Sequence, residues 1–161
     1  MRLLFLTDSL AENSPRSDAL LRLAASLNAS GGDCAVVSFL PCGKARRERI
    51  QALGVPVRYM QFFNSRIKFY APGLTGAVLF FRPDAVVLAA PAAHLHAGPL
   101  SRAFRGLRLV SALFGEPPGT LCRIARRRCA ACFDAPFPPP AAPAAEKRAF
   151  LEDFIRAAVL E

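Results

Sequence analysis

The sequence predicts an α/β protein: a doubly wound, Rossmann-like parallel sheet of about six strands, with helices on both faces and a C-terminal helix. Short, unbroken apolar segments such as Arg2–Thr7 and Ala85–Ala89 are typical of strands buried on both faces. They alternate with longer segments whose apolar residues recur at helical spacing, and such alternation joins parallel strands through helices. The expected strand order is 3-2-1-4-5-6, with functional loops at the carboxyl ends of the strands.

The first half of the chain predicts three strands and two helices. The strands are the apolar runs Arg2–Thr7, Cys34–Leu40 and Val55–Met60. Pro15 stands at a first helical position and begins helix one, because its fixed φ angle suits that place. The apolar stripe of this helix consists of Ala19, Leu20, Leu23, Ala24 and Leu27. A basic second helix covers Lys44–Leu53, and Gly54 ends it.

The second half repeats the pattern after a less regular segment. Pro72 and Gly73 interrupt Phe62–Phe81, so we expect a loop there and then a third helix from about Leu74. The remaining elements are strand four at Ala85–Ala89, a partly helical segment at Ala92–Phe104, strand five at Leu107–Leu113, a helix at about Gly119–Arg128 and strand six at Cys129–Phe133.

The composition changes after strand six. Ala135–Ala145 is rich in Pro and Ala, which predicts an extended, semi-rigid linker. Beyond it, Glu146–Leu160 is an amphipathic helix with one apolar face. The predicted organisation is therefore a domain over 1–134, a linker over 135–145 and a C-terminal helix over 146–161 that packs on the domain.

Charge and cysteine usage limit the classes of partner. The net charge is +9, carried by 18 Arg and 3 Lys against 12 acidic residues, and a basic surface attracts phosphates of nucleic acid, anionic lipid or a diphosphate ligand. The arginine clusters lack interleaved aromatics and fit no nucleic-acid motif, so nucleic acid is not an expected partner. Five cysteines without an export signal predict reduced, buried thiols in the cytoplasm, with no metal site and no cofactor.

The segments MRLLFLTDS, ALGVPVRYM, FRPDAVVLAAP and GLRLVSALFGEP, taken in this order, resemble the N-terminal domain of family 4 glycosyltransferases. The resemblance runs from about Met1 to Asp134. It implies the two-domain GT-B fold, in which the N-terminal domain holds the acceptor and the C-terminal domain binds a nucleotide-sugar donor across a cleft.

The sequence departs from that family at places that bear on chemistry. No glycine lies between Asp8 and Asp18, where the family usually has a Gly-Gly pair that approaches the donor diphosphate. The strand-five end, commonly Leu-His-Gly, is Leu113-Phe114-Gly115, and a phenylalanine can neither donate nor accept a proton. We expect the donor-binding half to be a separate polypeptide. No catalytic residue is therefore assigned.

Loops at the carboxyl ends of strands one, four and five supply the candidate ligand-binding residues. They are Asp8, Ser9, Asn13, Ser14, Arg16, His94, Phe114, Gly115 and Glu116. We expect this edge to be uncovered and Phe114 to lie near the surface, so that Phe114→Asp would disturb association and not folding. Two bland alternatives stay open: the first loop as a plain turn, and His94 and His96 as solvent-facing or hydrogen-bonded within the protein.

The resemblance implies an acceptor-binding half of a sugar transferase that needs a separate donor-binding partner and is inactive alone. The alternative is a non-catalytic binding or scaffold protein that kept the fold. Other expected partners are a second copy of the chain, a sugar or lipid-linked acceptor, and the inner membrane surface as a peripheral contact. Apolar and basic residues mixed within Phe62–Tyr70 suggest that contact, although packing of these aromatics in the core is the favoured reading.

Overall fold

The computed structural model describes residues 1–12, 14–62 and 67–160, and its central feature is a parallel sheet of six strands. The strands are β1 (Arg2–Thr7), β2 (Asp33–Ser38), β3 (Val57–Tyr59), β4 (Ala85–Leu88), β5 (Arg108–Ala112) and β6 (Ala131–Phe133). Their order is β3-β2-β1-β4-β5-β6, and every neighbouring pair is parallel. The predicted fold class and strand order are confirmed.

Helices connect the strands and cover both faces of the sheet. They are α1 (Pro15–Ala29), α2 (Lys44–Ala52), α3 (Leu74–Phe81), α4 (Pro91–His94), α5 (Ala97–Ala103), α6 (Thr120–Arg126) and α7 (Ala144–Ile155), and α7 continues into a wider π-helical turn over Arg156–Leu160. One face packs against α1 and α7, and the other packs against α3, α4 and α5.

Alternation along β1 and β4 builds the two halves of the core. Leu3 and Phe5 belong to the cluster that α1 and α7 cover, whereas Leu4 and Leu6 belong to the cluster on the opposite face. All four are 2% exposed or less. Successive side chains of a strand point to opposite faces, so an unbroken apolar run is what a strand covered on both sides requires.

The helix α7 returns to the sheet after the Pro-rich segment. Phe154 of this helix is fully buried and stacks on Phe5 with the ring centroids 5.8 Å apart. Arg108, at the start of β5, donates a hydrogen bond to the carbonyl of Ala157 at 3.3 Å. The stacked rings and the hydrogen bond from Arg108 together hold the end of the chain on the domain.

Several predicted boundaries differ from the structure, most clearly those of the third and sixth strands. The third strand is only three residues long, because Val55 and Met60 flank the ladder without belonging to it. Strand six begins at Ala131, since Cys129 lies in the turn that follows α6, its amide bonded to the carbonyl of Arg126 at 3.0 Å. Both strands lie at an edge of the sheet and pair with a neighbour on one side only. Their ends are therefore less strongly determined by the sequence.

Candidate functional site at the carboxyl edge of the sheet

Arg16 connects the loops that follow β1, β4 and β5. Its Nη1 donates to both carboxylate oxygens of Glu116, at 2.6 and 2.7 Å, and its Nη2 donates to the carbonyl of Ala89 at 3.1 Å. Asp8 contributes a longer ion pair, with Oδ1 3.7 Å from Nη2. The carboxyl ends of three strands therefore meet at one guanidinium group.

Local sequence places Arg16 there. The chain turns after Thr7, and Ser14 caps α1 by accepting a hydrogen bond from the amide of Ser17 at 3.3 Å. Pro15 occupies the first helical position, so Arg16 stands in the first turn of α1, near Asp8 at the carboxyl end of β1.

Asp8 and Ser9 form the rest of the first loop. The Oδ1 atom of Asp8 accepts the amide of Ser9 at 2.8 Å, and the carbonyl of Ser9 accepts the hydroxyl of Ser17 at 3.4 Å. Asp8 therefore stabilises the loop after β1 in addition to contacting Arg16. Of the predicted site residues, Asp8, Ser9, Ser14, Arg16 and Glu116 come together at this edge, and Asn13 lies outside the described residues.

The cluster presents oxygen acceptors and a cation to solvent. The Glu116 side chain is 43% exposed and the Arg16 side chain 25%. Carboxylates accept hydrogen bonds from hydroxyl groups, and the Arg16 guanidinium is already paired with Glu116 and Asp8. The arrangement suits recognition of a hydroxyl-rich ligand.

Phe114 is buried, so the expectation that it lies near the surface is wrong. It is 7% exposed and stacks on Phe137, with the ring centroids 4.0 Å apart. The ring centroids of Phe133, Phe150 and Phe154 lie 6.0 to 6.4 Å from that of Phe114. Contacts among the surrounding rings have centroid distances of 5.3 to 5.8 Å. The Pro-rich segment and α7 supply three of these rings. They cover the end of β5, which we expected to be uncovered.

The backbone at the end of β5 is constrained as well. Phe114 has a φ of 50° and Gly115 a φ of 89°, so a non-glycine residue adopts the left-handed region at a cost of order 1–3 kcal/mol. A Cβ on Gly115 would lie 3.0 Å from the Cβ of Pro136. Gly115 thus serves close packing against the Pro-rich segment.

His94, a predicted ligand-binding residue at this edge, is also buried. It is 1% exposed; its Nδ1 donates to the carbonyl of Ala90 at 2.8 Å, so its Nε2 accepts from the hydroxyl of Ser111 at the same distance. The alternative of a histidine hydrogen-bonded within the protein is confirmed. His96 points elsewhere, with Nε2 2.8 Å from the carbonyl of Phe69.

Burial lowers the pKa of His94, and the nearby charges of Arg126 and Arg16 lower it further, although the Ala90 carbonyl opposes the shift. Burial lowers the pKa of His96 in the same way. Both imidazoles therefore resist protonation in the folded protein.

The aromatics of the Phe62–Tyr70 segment are exposed, which sequence reasoning did not favour. Phe62 is 97% exposed, and Ile67, Phe69 and Tyr70 are each about half exposed. The side chain of Gln61 bonds to the backbone of this segment: its Nε2 donates to the carbonyls of Ile67 at 3.1 Å and Tyr70 at 2.6 Å. Phe63 and Arg66 of this segment lie outside the described residues.

The cysteines are reduced but not uniformly buried. Cys34 and Cys122 are buried, whereas Cys132 is exposed, which corrects the prediction that all act as small core residues. Burial raises the pKa of Cys34 to about 11 and that of Cys129 to about 12. Within the described ranges no three His, Cys, Asp or Glu side chains are placed to share a metal ion.

Searches for similar sequences and similar structures give different results. No protein-family model and no curated protein matches the sequence. Solved structures do match. The Anabaena protein Alr3699/HepE, solved with UDP, is 16% identical with a TM-score of 0.58, and the match covers 95% of this chain and 40% of that one.

Two further structures give the same picture. The lipopolysaccharide outer core galactosyltransferase WaaB has 13% identity and a TM-score of 0.57 over 82% of this chain and 38% of its own. MurG of Acinetobacter baumannii has 14% identity and a TM-score of 0.55 over 89% and 43%. The chain spans about two fifths of the structures that it resembles.

These likenesses concern the fold. The chain has the Rossmann-like α/β fold found in glycosyltransferase domains of the GT-B type, which the sequence resemblance implied. Among the described residues no helix is both long and apolar enough to cross a membrane.

Phe114→Asp is expected to unfold the protein. The change removes a buried ring, worth about 3–5 kcal/mol, and places a carboxylate among aromatics. Phe62→Asp is the matched control, because it makes the same substitution at a ring that is 97% exposed. Urea denaturation followed by circular dichroism measures both. A folded Phe114→Asp variant as stable as Phe62→Asp would show that the aromatic cluster does not stabilise the domain.

The unfolding free energy is expected to fall between about pH 7 and about pH 5, because the unfolded imidazoles bind protons that His94 and His96 resist in the folded state. His94→Gln should flatten this dependence while lowering stability near neutral pH. His96→Gln should remove a separate part of it. Denaturant titrations across this range measure the slopes, and an unchanged slope in His94→Gln would contradict the assignment.

Proposed function

We propose that this chain is the acceptor-binding half of a nucleotide-sugar glycosyltransferase. In this proposal its ligand edge is the Arg16 cluster, which consists of Asp8, Arg16 and Glu116. The observation that carries the proposal is the agreement of fold and site. Nearly the whole chain matches about two fifths of several GT-B-type structures, and its exposed polar side chains converge where open α/β sheets bind ligands.

In this proposal Asp8 and Glu116 accept hydrogen bonds from acceptor hydroxyls, and Arg16 fixes the two carboxylates relative to one another. Their lone pairs are only partly used by Arg16, since the Glu116 carboxylate remains 43% exposed. The polar groups are held by hydrogen bonds before any ligand arrives, which lowers the ordering cost of binding.

The proposal assigns binding to this chain and leaves sugar activation to a donor-binding domain that faces the same edge. The position that commonly carries a histidine in the resemblance holds Phe114, which is buried and has no proton to exchange. This observation also favours a second candidate, a non-catalytic binding protein with the same fold. A separate polypeptide supplying the donor half remains our expectation, and a second copy of this chain is the other candidate partner.

Contact with a membrane surface would bring a lipid-linked acceptor to this edge. Phe62, Phe69 and Tyr70 are exposed at the carboxyl end of the sheet beside Lys68, and exposed aromatics mixed with basic residues are typical of interfacial segments. The loop is tied to the ligand side of the fold, because His96 contacts the carbonyl of Phe69.

Arg16→Ala and Glu116→Gln are expected to weaken acceptor binding by about ten- to a hundredfold, through loss of charge-assisted hydrogen bonds worth about 1.5–3 kcal/mol. Titration of ¹⁵N-labelled protein with a panel of mono- and disaccharides, followed by NMR, measures the affinity and locates the site. Arg49→Ala is the control, since Arg49 is an exposed arginine on α2. Saccharide shifts that avoid residues 8, 16 and 116 would overturn the assignment.

Sugar transfer distinguishes the two candidate functions. The chain is mixed with donor-binding domains encoded beside its gene, a UDP-sugar and the saccharide found by NMR. Transfer that needs both polypeptides and falls with Arg16→Ala supports the acceptor half. Stable association with intact saccharide binding but no transfer favours the non-catalytic protein.

Phe62→Ser and Phe69→Ser are expected to reduce sedimentation with vesicles rich in phosphatidylglycerol, because each removes an exposed ring from the proposed interface. Phe80→Ser is the matched control: Phe80 is 82% exposed but lies at the far end of α3. Equal sedimentation of all three variants and the original protein would contradict this membrane contact.

A further inference from the structure

A groove of about 490 Å³ runs between α1, the Pro-rich segment and α7. Its walls are mainly apolar, formed by Leu23 of α1, Phe137 of the Pro-rich segment, and Phe150 and Leu151 of α7. This volume lies within the range of about 300–1,000 Å³ that is usual for small-molecule sites.

Three cations stand around these walls, and no carboxylate is among the described residues that line the groove. They are Arg22, Lys147 and Arg148. Arg148 shares its charge with Glu152, Nε to Oε1 at 2.9 Å, across an exposed pair. Arg22 is exposed on α1 and faces the cations of α7 across the groove, so the rim carries an excess of positive charge.

A hydrogen bond connects two walls of the groove, the Pro-rich segment and α7. Lys147 donates from Nζ to the carbonyl of Pro140 at 2.7 Å, which holds the Pro-rich segment against the start of α7. Two of its three ammonium protons remain for another acceptor. This bond fixes two walls of the groove relative to each other, and Lys147 supplies a polar group at one end.

We propose that this groove binds a single-chain amphiphile with a phosphate headgroup. An alkyl chain matches the apolar walls, since burying apolar surface is favourable and non-directional. A phosphate matches the rim, because guanidinium groups bind it through paired hydrogen bonds and an ammonium binds it as a point charge. A neutral alkyl ligand would make no use of the charges of Arg22 and Lys147, and inorganic phosphate would leave the apolar walls uncovered.

Dodecyl phosphate, below its micelle-forming concentration, is the probe. Titration of the ¹⁵N-labelled chain should give saturable shifts in residues 19–26 and 147–151. Arg22→Glu should weaken binding by about fivefold or more, because it reverses a rim charge. Arg49→Glu, the same change on the exposed face of α2, should leave the affinity unchanged.

A second pair of variants tests the alkyl chain. Ser26→Trp should fill the groove and weaken binding, whereas Ala29→Trp places the same ring at the exposed end of α1, outside the groove. Both positions are exposed, so both variants should fold. Three results would overturn the proposal: equal affinity in Arg22→Glu and Arg49→Glu, binding of inorganic phosphate as tight as that of dodecyl phosphate, or shifts confined to residues 62 and 67–70.

Discussion

Burial of β1 and β4 on both faces is the constraint on which the rest of this structure depends. Each pairs with a parallel neighbour on either side, and side chains of both alternate between two separate apolar clusters. A strand of this kind needs a helix layer above and below it. The placement of α1 and α7 on one face and α3 to α5 on the other follows, and so does the meeting of loops at one end of the sheet.

The aromatic cluster around Phe114 shows how the layer on one face is completed. α1 covers the sheet near β1 and β2, and the rings of Phe137, Phe150 and Phe154 cover the region near β5 and β6. Burial of several large rings offsets the cost of the left-handed backbone at Phe114. This packing also explains why a residue at the carboxyl end of a strand, normally a place for ligand contacts, belongs to the core.

The sequence was sufficient for the architecture because the signals for it are local. Unbroken apolar runs such as Ala85–Leu88 and the capped start of α1 depend on neighbours in the chain, and the strand order follows from the handedness of crossover connections. Contacts between distant segments were not accessible in the same way. Phe114 is buried by residues 23 and 36 positions further along, and neither Phe137 nor Phe150 carries a local sign of where it packs.

Three other site residues illustrate the same limit. Arg16 and Glu116 were each placed at the correct edge, because both follow strand ends, but their pairing across 100 residues depends on the final geometry. The burial of His94 has the same origin, since a polar residue after a strand suggests a ligand contact. The buried hydroxyl of Ser111 that pairs with it lies on the neighbouring strand. The available signal was Ser111 itself, a polar residue inside an otherwise apolar run.

Gln61 bonds to two backbone groups of its loop, and these bonds do not depend on which side chains the loop carries. One buried side-chain amide fixes two backbone carbonyls, at Ile67 and Tyr70, and a carbonyl is present whatever side chain the residue carries. The exposed side chains of Phe69 and Tyr70 can therefore differ between related proteins while these backbone bonds are kept. Selectivity for different surfaces or ligands can evolve here one residue at a time, at little cost to the stability of the domain beneath.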